Sequence, residues 1–144
     1  GALHKYIRGR YVADELQRYA PHPLHDLFDS HRSDAAAIGL LWGRQHQADC
    51  DGYVQAVFAR YWQQQQGIDD LDDIEAVLKE LQLSVAGFRD FAAADGADRA
   101  AANLEELRAK GVTTSPTYLL GEEPFQGRQH LPLLRARLQA AQQN

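Results

Sequence analysis

The amino-acid sequence predicts an α+β chain that is predominantly α: a helical bundle over residues 1–110, then a ββα motif over residues 111–144, the two forming one compact unit. Apolar residues recur at helical spacing, punctuated by caps, from Tyr11 to Lys110. Beyond Gly111 the pattern changes. Thr117 to Leu120 is an apolar run with β-branched and aromatic members, Gly121-Glu122-Glu123 is a turn, Pro124 to Gln126 is a return strand, and Pro132 sits in the first turn of a helix. A hairpin alone is marginal in water, so this one calls for further strands or a partner.

The first helix is expected from Tyr11 to Ala20, ending at Pro21, and the Pro/His-rich stretch from Pro21 to Arg32 reads as a loop. Ser33 or Asp34 caps the next helix, which puts Ile38, Leu41 and Trp42 on one face. Asp51 caps a third, where Val54, Val57, Phe58 and Tyr61 recur at i, i+3, i+4 and i+7 and are expected in the core. Gln63 to Gln66 is its fraying end before Gly67. Asp70 precedes a stripe of Leu71, Ile74, Val77, Leu78 and Leu81, and Ser84 starts a short helix that turns Val85, Phe88 and Phe91 inward. Ala97, Ala100, Ala101, Leu104 and Leu107 mark the last bundle helix, whose alanines imply close packing, and Gly111 stops it in a left-handed conformation. Leu131, Leu134 and Leu138 share a face of the terminal helix.

With 144 residues, 44% of them apolar, and a net charge of -5, the chain suits one mildly acidic globular domain. Such a length buries roughly two-thirds of the unfolded surface without needing disulfides or a structural metal. No basic stripe is present to drive phosphate binding, so no nucleic-acid partner is expected. No apolar run approaches the ~18 residues of a membrane span, and no charged-then-apolar leader opens the sequence. The expectation is no membrane partner and a cytoplasmic location. The sequence starts Gly-Ala and contains no methionine, so residues upstream of Gly1 are expected.

Cys50 is the only cysteine, which excludes an internal disulfide and any Cys-x-x-Cys pair within these residues. It reads as a small, unreactive residue near a helix start. His22, His25 and His31 with Asp26, and His46 with Cys50 at i, i+4, have ligand-type side chains but no second half of a metal pattern, so no metal is expected. The acidic group Asp69, Asp70, Asp72 and Asp73 surrounds a helix N-terminus, where negative charge is favourable on its own account. No Ser/His/Asp set, phosphate-binding glycine loop or paired carboxylates stand out.

Gly111-Val112 with Ser115-Pro116-Thr117, Gly121-Glu122 and Phe125-Gln126-Gly127-x-Gln129-x-Leu131 resembles the C-terminal ββα half of the DsbA-like thioredoxin superfamily. The nearest likeness is to the branch of 2-hydroxychromene-2-carboxylate isomerases and kappa-class glutathione transferases, in which a helical domain is inserted into the thioredoxin fold. The segments Lys5–Tyr11 with Asp14–Arg18, Ser33–Gln45 and Val57–Trp62 agree, so the likeness runs from about Lys5 to Leu138. The resemblance implies a preceding strand-helix-strand unit bearing the catalytic serine of the isomerases and transferases, or the Cys-x-x-Cys of the oxidoreductases. No catalytic residue is identifiable in the chain itself.

The resemblance further implies a cis Ser115-Pro116 bond, with the residue before the proline presenting its backbone to an extended ligand such as the cysteinyl part of glutathione. Arg128 and Gln129, in the corner before the last helix, would meet the γ-glutamyl group, although Gln129 stands where glutathione users carry an acid. That corner reads equally as helix capping, with Gln129 and His130 solvated. Arg10 and Tyr11, together with Tyr6 and Arg8, lie in a segment that borders the family's cleft; their other reading is surface cover. The functional expectation is a glutathione-dependent isomerase or transferase acting on a small-molecule or thiol substrate and inactive as these residues alone. A DsbA-like thiol-disulfide oxidoreductase and a non-catalytic helical interaction module are the alternatives. Pairing of the exposed hairpin edge, as a homodimer or with another strand, is also expected.

Overall fold

The computed structural model describes residues 2–21, 23 and 32–142. The chain divides into two compact units, Gly1–Ala100 and Ala101–Asn144. The first holds α1 (Ala2–Tyr19), α2 (Asp34–Gln45), α3 (Cys50–Phe58), a π-helical turn (Ala59–Gln63), α4 (Leu71–Glu80), α5 (Phe88–Phe91) with a π-helical continuation (Ala92–Gly96), and the start of α6 (Ala97–Ala109). The second holds the rest of α6, an antiparallel hairpin of β1 (Thr117–Leu120) and β2 (Glu123–Gln126), a 3-10 turn (Arg128–His130) and α7 (Leu131–Gln142). This is the predominantly helical α+β class that the periodicity predicts.

In the first unit α4 is the centre of the core. Asp70 caps it by accepting the Asp73 N–H at 2.9 Å, and the stripe Ile74, Val77 and Leu78 is fully buried. Phe88 joins them from α5, Ile38 and Trp42 from α2, and Tyr53 and Val57 from α3. The buried polar atoms of this core are paired: the Trp42 indole N–H donates to the Ser84 carbonyl and the Tyr53 hydroxyl to the Ala36 carbonyl, both at 2.8 Å. Arg60 pins the loop after the π-helical turn, donating to the Gly67 carbonyl at 2.8 Å and pairing with Asp73 at 2.9 Å. The acidic cluster is used up in such contacts, with Asp72 pairing with Arg89 and Asp69 accepting the Arg32 N–H.

Burial drives the Tyr53 phenol pKa well above its ordinary value. Because the folded state holds this proton more tightly than the unfolded chain, its contribution is complete below pH ~10 and is lost as pH rises beyond that. Denaturant midpoints measured from pH 8 upward should therefore fall in alkali, and the fall should be shallower in Tyr53→Phe. Equal slopes in the two proteins would contradict this.

Several elements depart from the sequence expectation. α1 begins at Ala2 rather than Tyr11, since Gly9 costs a helix only about 1 kcal/mol and Leu3 to Arg8 are otherwise compatible with helix. The third helix is capped by Asp49, not Asp51; the Asp49 carboxylate accepts the Asp51 N–H at 3.1 Å. Its buried stripe is Tyr53, Val57 and Tyr61, at i, i+4 and i+8, while Val54 and Phe58 are 40% and 59% exposed. Val54 and Phe58 line an apolar hollow of about 390 Å³ with Leu40 and Trp62. The Gln63–Gln66 segment leaves the helix through a π-helical turn, with Gln65 left-handed at φ +53°. Ser84 does not start α5: Gly87, at φ +85°, turns the chain into a helix beginning at Phe88. α6 has no fully buried side chain: of its alanines Ala100 packs against the core, while Leu104 and Leu107 are exposed.

In the second unit Gly111 ends α6 at φ +80°, its N–H on the Arg108 carbonyl and that of Val112 on the Leu107 carbonyl, each at 2.9 Å. Thr117 pairs with Gln126, Tyr118 with Phe125, Leu119 with Pro124 and Leu120 with Glu123. Phe125 and Leu134 are the buried residues of this unit. Arg137 lies over the Phe125 ring at 5.3 Å and pairs with Glu123 at 2.6 Å, which ties α7 to β2.

Candidate functional site

Pro116 leads into β1, and its carbonyl accepts the Gly127 N–H at 2.8 Å. That bond brings the two halves of the sequence motif, Ser115-Pro116 and Gly127-Arg128-Gln129, into one corner of the second unit. The Ser115-Pro116 peptide bond is cis. Gly127, at φ +88°, makes the sharp exit from β2 into the 3-10 turn, a conformation that disfavours a side chain. The loop from Gly111 is held by Gln126, whose side-chain amide donates to the Gly111 carbonyl and the Thr113 hydroxyl, both at 3.1 Å. Sequence reasoning has Gln126 in the motif but gives its side chain no role.

Arg128 is exposed, and its guanidinium has no partner among the described residues. Gln129 donates from Nε2 to the Gln126 carbonyl at 2.7 Å, which leaves Oε1 as an acceptor. His130 packs edge-on to Phe125, with ring centroids 5.6 Å apart. The corner thus offers a cation, a neutral acceptor and strand backbone, a set that fits an extended peptide with a carboxylate and an amine.

Arg10 and Tyr11 lie in the first unit, on α1, where Tyr11 is 65% exposed. Cys50 opens α3, half-buried and unbridged, with Sγ 3.8 Å from the Ala48 carbonyl. His46 stacks on Trp42 and hydrogen-bonds its carbonyl at 2.9 Å. Among the described residues no group of His, Cys, Asp and Glu could hold a metal ion. The set His22, His25, His31 and Asp26 lies outside the described residues. No described helix is long and apolar enough to cross a membrane.

A ββα unit with Ser-Pro ahead of its first strand, preceded in the chain by a helical bundle, defines a thioredoxin-like protein of the DsbA kind. The chain belongs to the DSBA-like thioredoxin domain family, whose model matches residues 5–139. Among solved structures, that of a 2-hydroxychromene-2-carboxylate isomerase is similar, with a TM-score of 0.73 and 23% identity over 94% of this chain and 68% of that one. That likeness shows the fold. No curated protein matches the sequence.

Proposed function

We propose that the chain supplies the proline-side half of a glutathione site in an isomerase or transferase of the 2-hydroxychromene-2-carboxylate isomerase type. The observation that carries this reading is the Gly127-to-Pro116 hydrogen bond, which brings the Ser115-Pro116 and Gly127-Arg128 segments into one corner, where Arg128 has no partner among the described residues. Ser115 would pair with the cysteinyl residue of the ligand, Arg128 would receive a carboxylate, and Gln129 Oε1 would accept from the γ-glutamyl amine. When bound, glutathione supplies the sulfur nucleophile. The neutral Gln129 gives that amine a weaker partner than a carboxylate would, because charge-assisted bonds are roughly twice as strong.

Titration of the 144-residue chain with glutathione, followed by amide NMR, should move the Ser115, Thr117 and Arg128–His130 signals with a Kd on the order of 1 mM. Arg128→Ala should weaken binding about tenfold, the loss of one charge-assisted bond. Unchanged spectra at millimolar glutathione would sink the reading. No isomerase turnover is expected from these residues alone, since they hold no recognisable nucleophile. A DsbA-like disulfide oxidoreductase is supported by one specific feature, the Gln129 side chain in place of an acid. In that case a cysteine-containing peptide, and not glutathione, should move the same amides.

A further inference from the structure

The corner proposed for glutathione has two arms, the Ser115-Pro116 segment and the Arg128-Gln129 turn, and one residue is bonded to both sides. Gln126 ends β2 opposite Thr117. Its backbone carbonyl accepts the Gln129 Nε2–H at 2.7 Å, and the Gln129 amide lies against the bare Cα of Gly127, where a Cβ would displace it. Its own side-chain amide donates from Nε2 to the Gly111 carbonyl and to the Thr113 hydroxyl, both at 3.1 Å. A carbonyl only accepts, so the amide nitrogen is the atom that faces Gly111, and both of its hydrogens are used.

Few other bonds fix the segment between α6 and β1. The Gly111 and Val112 N–H groups tie its start to α6, and Thr117 Oγ1 bonds the Thr114 carbonyl locally. From β2 and α7, residues 111–115 receive two hydrogen bonds among the described residues, and both come from the Gln126 amide.

We propose that Gln126 is the positioning residue of this corner: its side-chain amide sets the Ser115 arm and its carbonyl the Gln129 arm, so that an extended peptide-like ligand meets both at once. The proposal rests on the glutathione reading and adds to it a residue that acts without touching the ligand. The two bonds differ in what a substitution removes. The carbonyl is backbone and survives any replacement, whereas the amide does not, so losing the side chain releases the Ser115 arm and leaves the Gln129 arm in place.

The test is amide NMR of the 144-residue chain titrated with glutathione, comparing wild type, Gln126→Met, Thr113→Val and the double variant. Methionine keeps the length of the side chain and removes both donors. Without ligand, backbone order parameters of Thr113–Ser115 should fall in Gln126→Met, while those of Arg128–His130 and the thermal midpoint match the wild type. With ligand, Kd should rise about fivefold, the effect of one ordinary hydrogen bond. Thr113→Val removes one of the two acceptors and should raise Kd about twofold; the double variant should bind no more weakly than Gln126→Met, because the two substitutions break the same contact. If Gln126→Met fails to fold, Thr113→Val carries the same comparison. Unchanged order in Thr113–Ser115, disorder spread over the whole hairpin with a lowered midpoint, or additive losses in the double variant would overturn the proposal. Wild-type binding with an indifferent Gln126→Met overturns this proposal alone, whereas wild-type spectra unmoved by glutathione overturn the glutathione reading and the proposal with it.

Discussion

Phe88→Ala is expected to lower the unfolding free energy of the helical unit by about 3–5 kcal/mol, the range for an aromatic deleted from a fully packed core. Phe88 has no exposed surface and meets the Trp42 ring edge-on with centroids 5.9 Å apart, inside the cluster formed by Ile74, Val77 and Leu78. A domain of this size commonly has about 5–15 kcal/mol in total, so the loss is a large fraction of it. Urea denaturation followed by tryptophan fluorescence and by circular dichroism reads the loss. A change below about 1 kcal/mol would mean that the core has collapsed around the gap or was never closed there.

The second large effect is a contrast between two glycines of α2. A Cβ at Gly39 would overlap the Tyr53 hydroxyl and a methyl of Ile74, both in the core, whereas a Cβ at Gly43 would meet only the Ala48 side chain at 3.5 Å. Gly39→Ala should therefore destabilise by roughly 1–3 kcal/mol through overpacking. Gly43→Ala should stabilise by about 0.5–1 kcal/mol, because the helix gains and nothing is displaced. Thermal unfolding of the two variants side by side separates packing from helix propensity. Shifts of the same sign would refute the close approach of α3 and α4 to Gly39.

Much of the fold was legible because its signals are local. The Asp70 cap with the stripe Ile74, Val77 and Leu78, the glycine stop at Gly111 and the strand Thr117–Leu120 each follow from a few neighbouring residues, and the structure places each where the spacing does. The misplaced face of α3 has a different origin. Val54 and Phe58 satisfy the same periodicity as Tyr53 and Val57, and the choice between them is made by α2 and α4, which pack on one side only. The Asp49 cap was missed for a related reason: Asp49 and Asp51 are equivalent by type, and the backbone geometry at the turn selects between them.

The candidate site divides in the same way. The motif around Ser115-Pro116 and Gly127-x-Gln129 carried the resemblance to the family, and the resemblance implied the roles of Ser115, Pro116, Arg128 and Gln129. Only the tertiary structure shows that the Gln129 amide is spent on the Gln126 carbonyl and that Arg128 has no partner among the described residues. Local spacing encodes which elements form, because helix and strand periods are set by near neighbours. Which face is covered, and which hydrogen bond or charge is left over, depends on contacts between residues distant in sequence, and those exist only once the chain has folded.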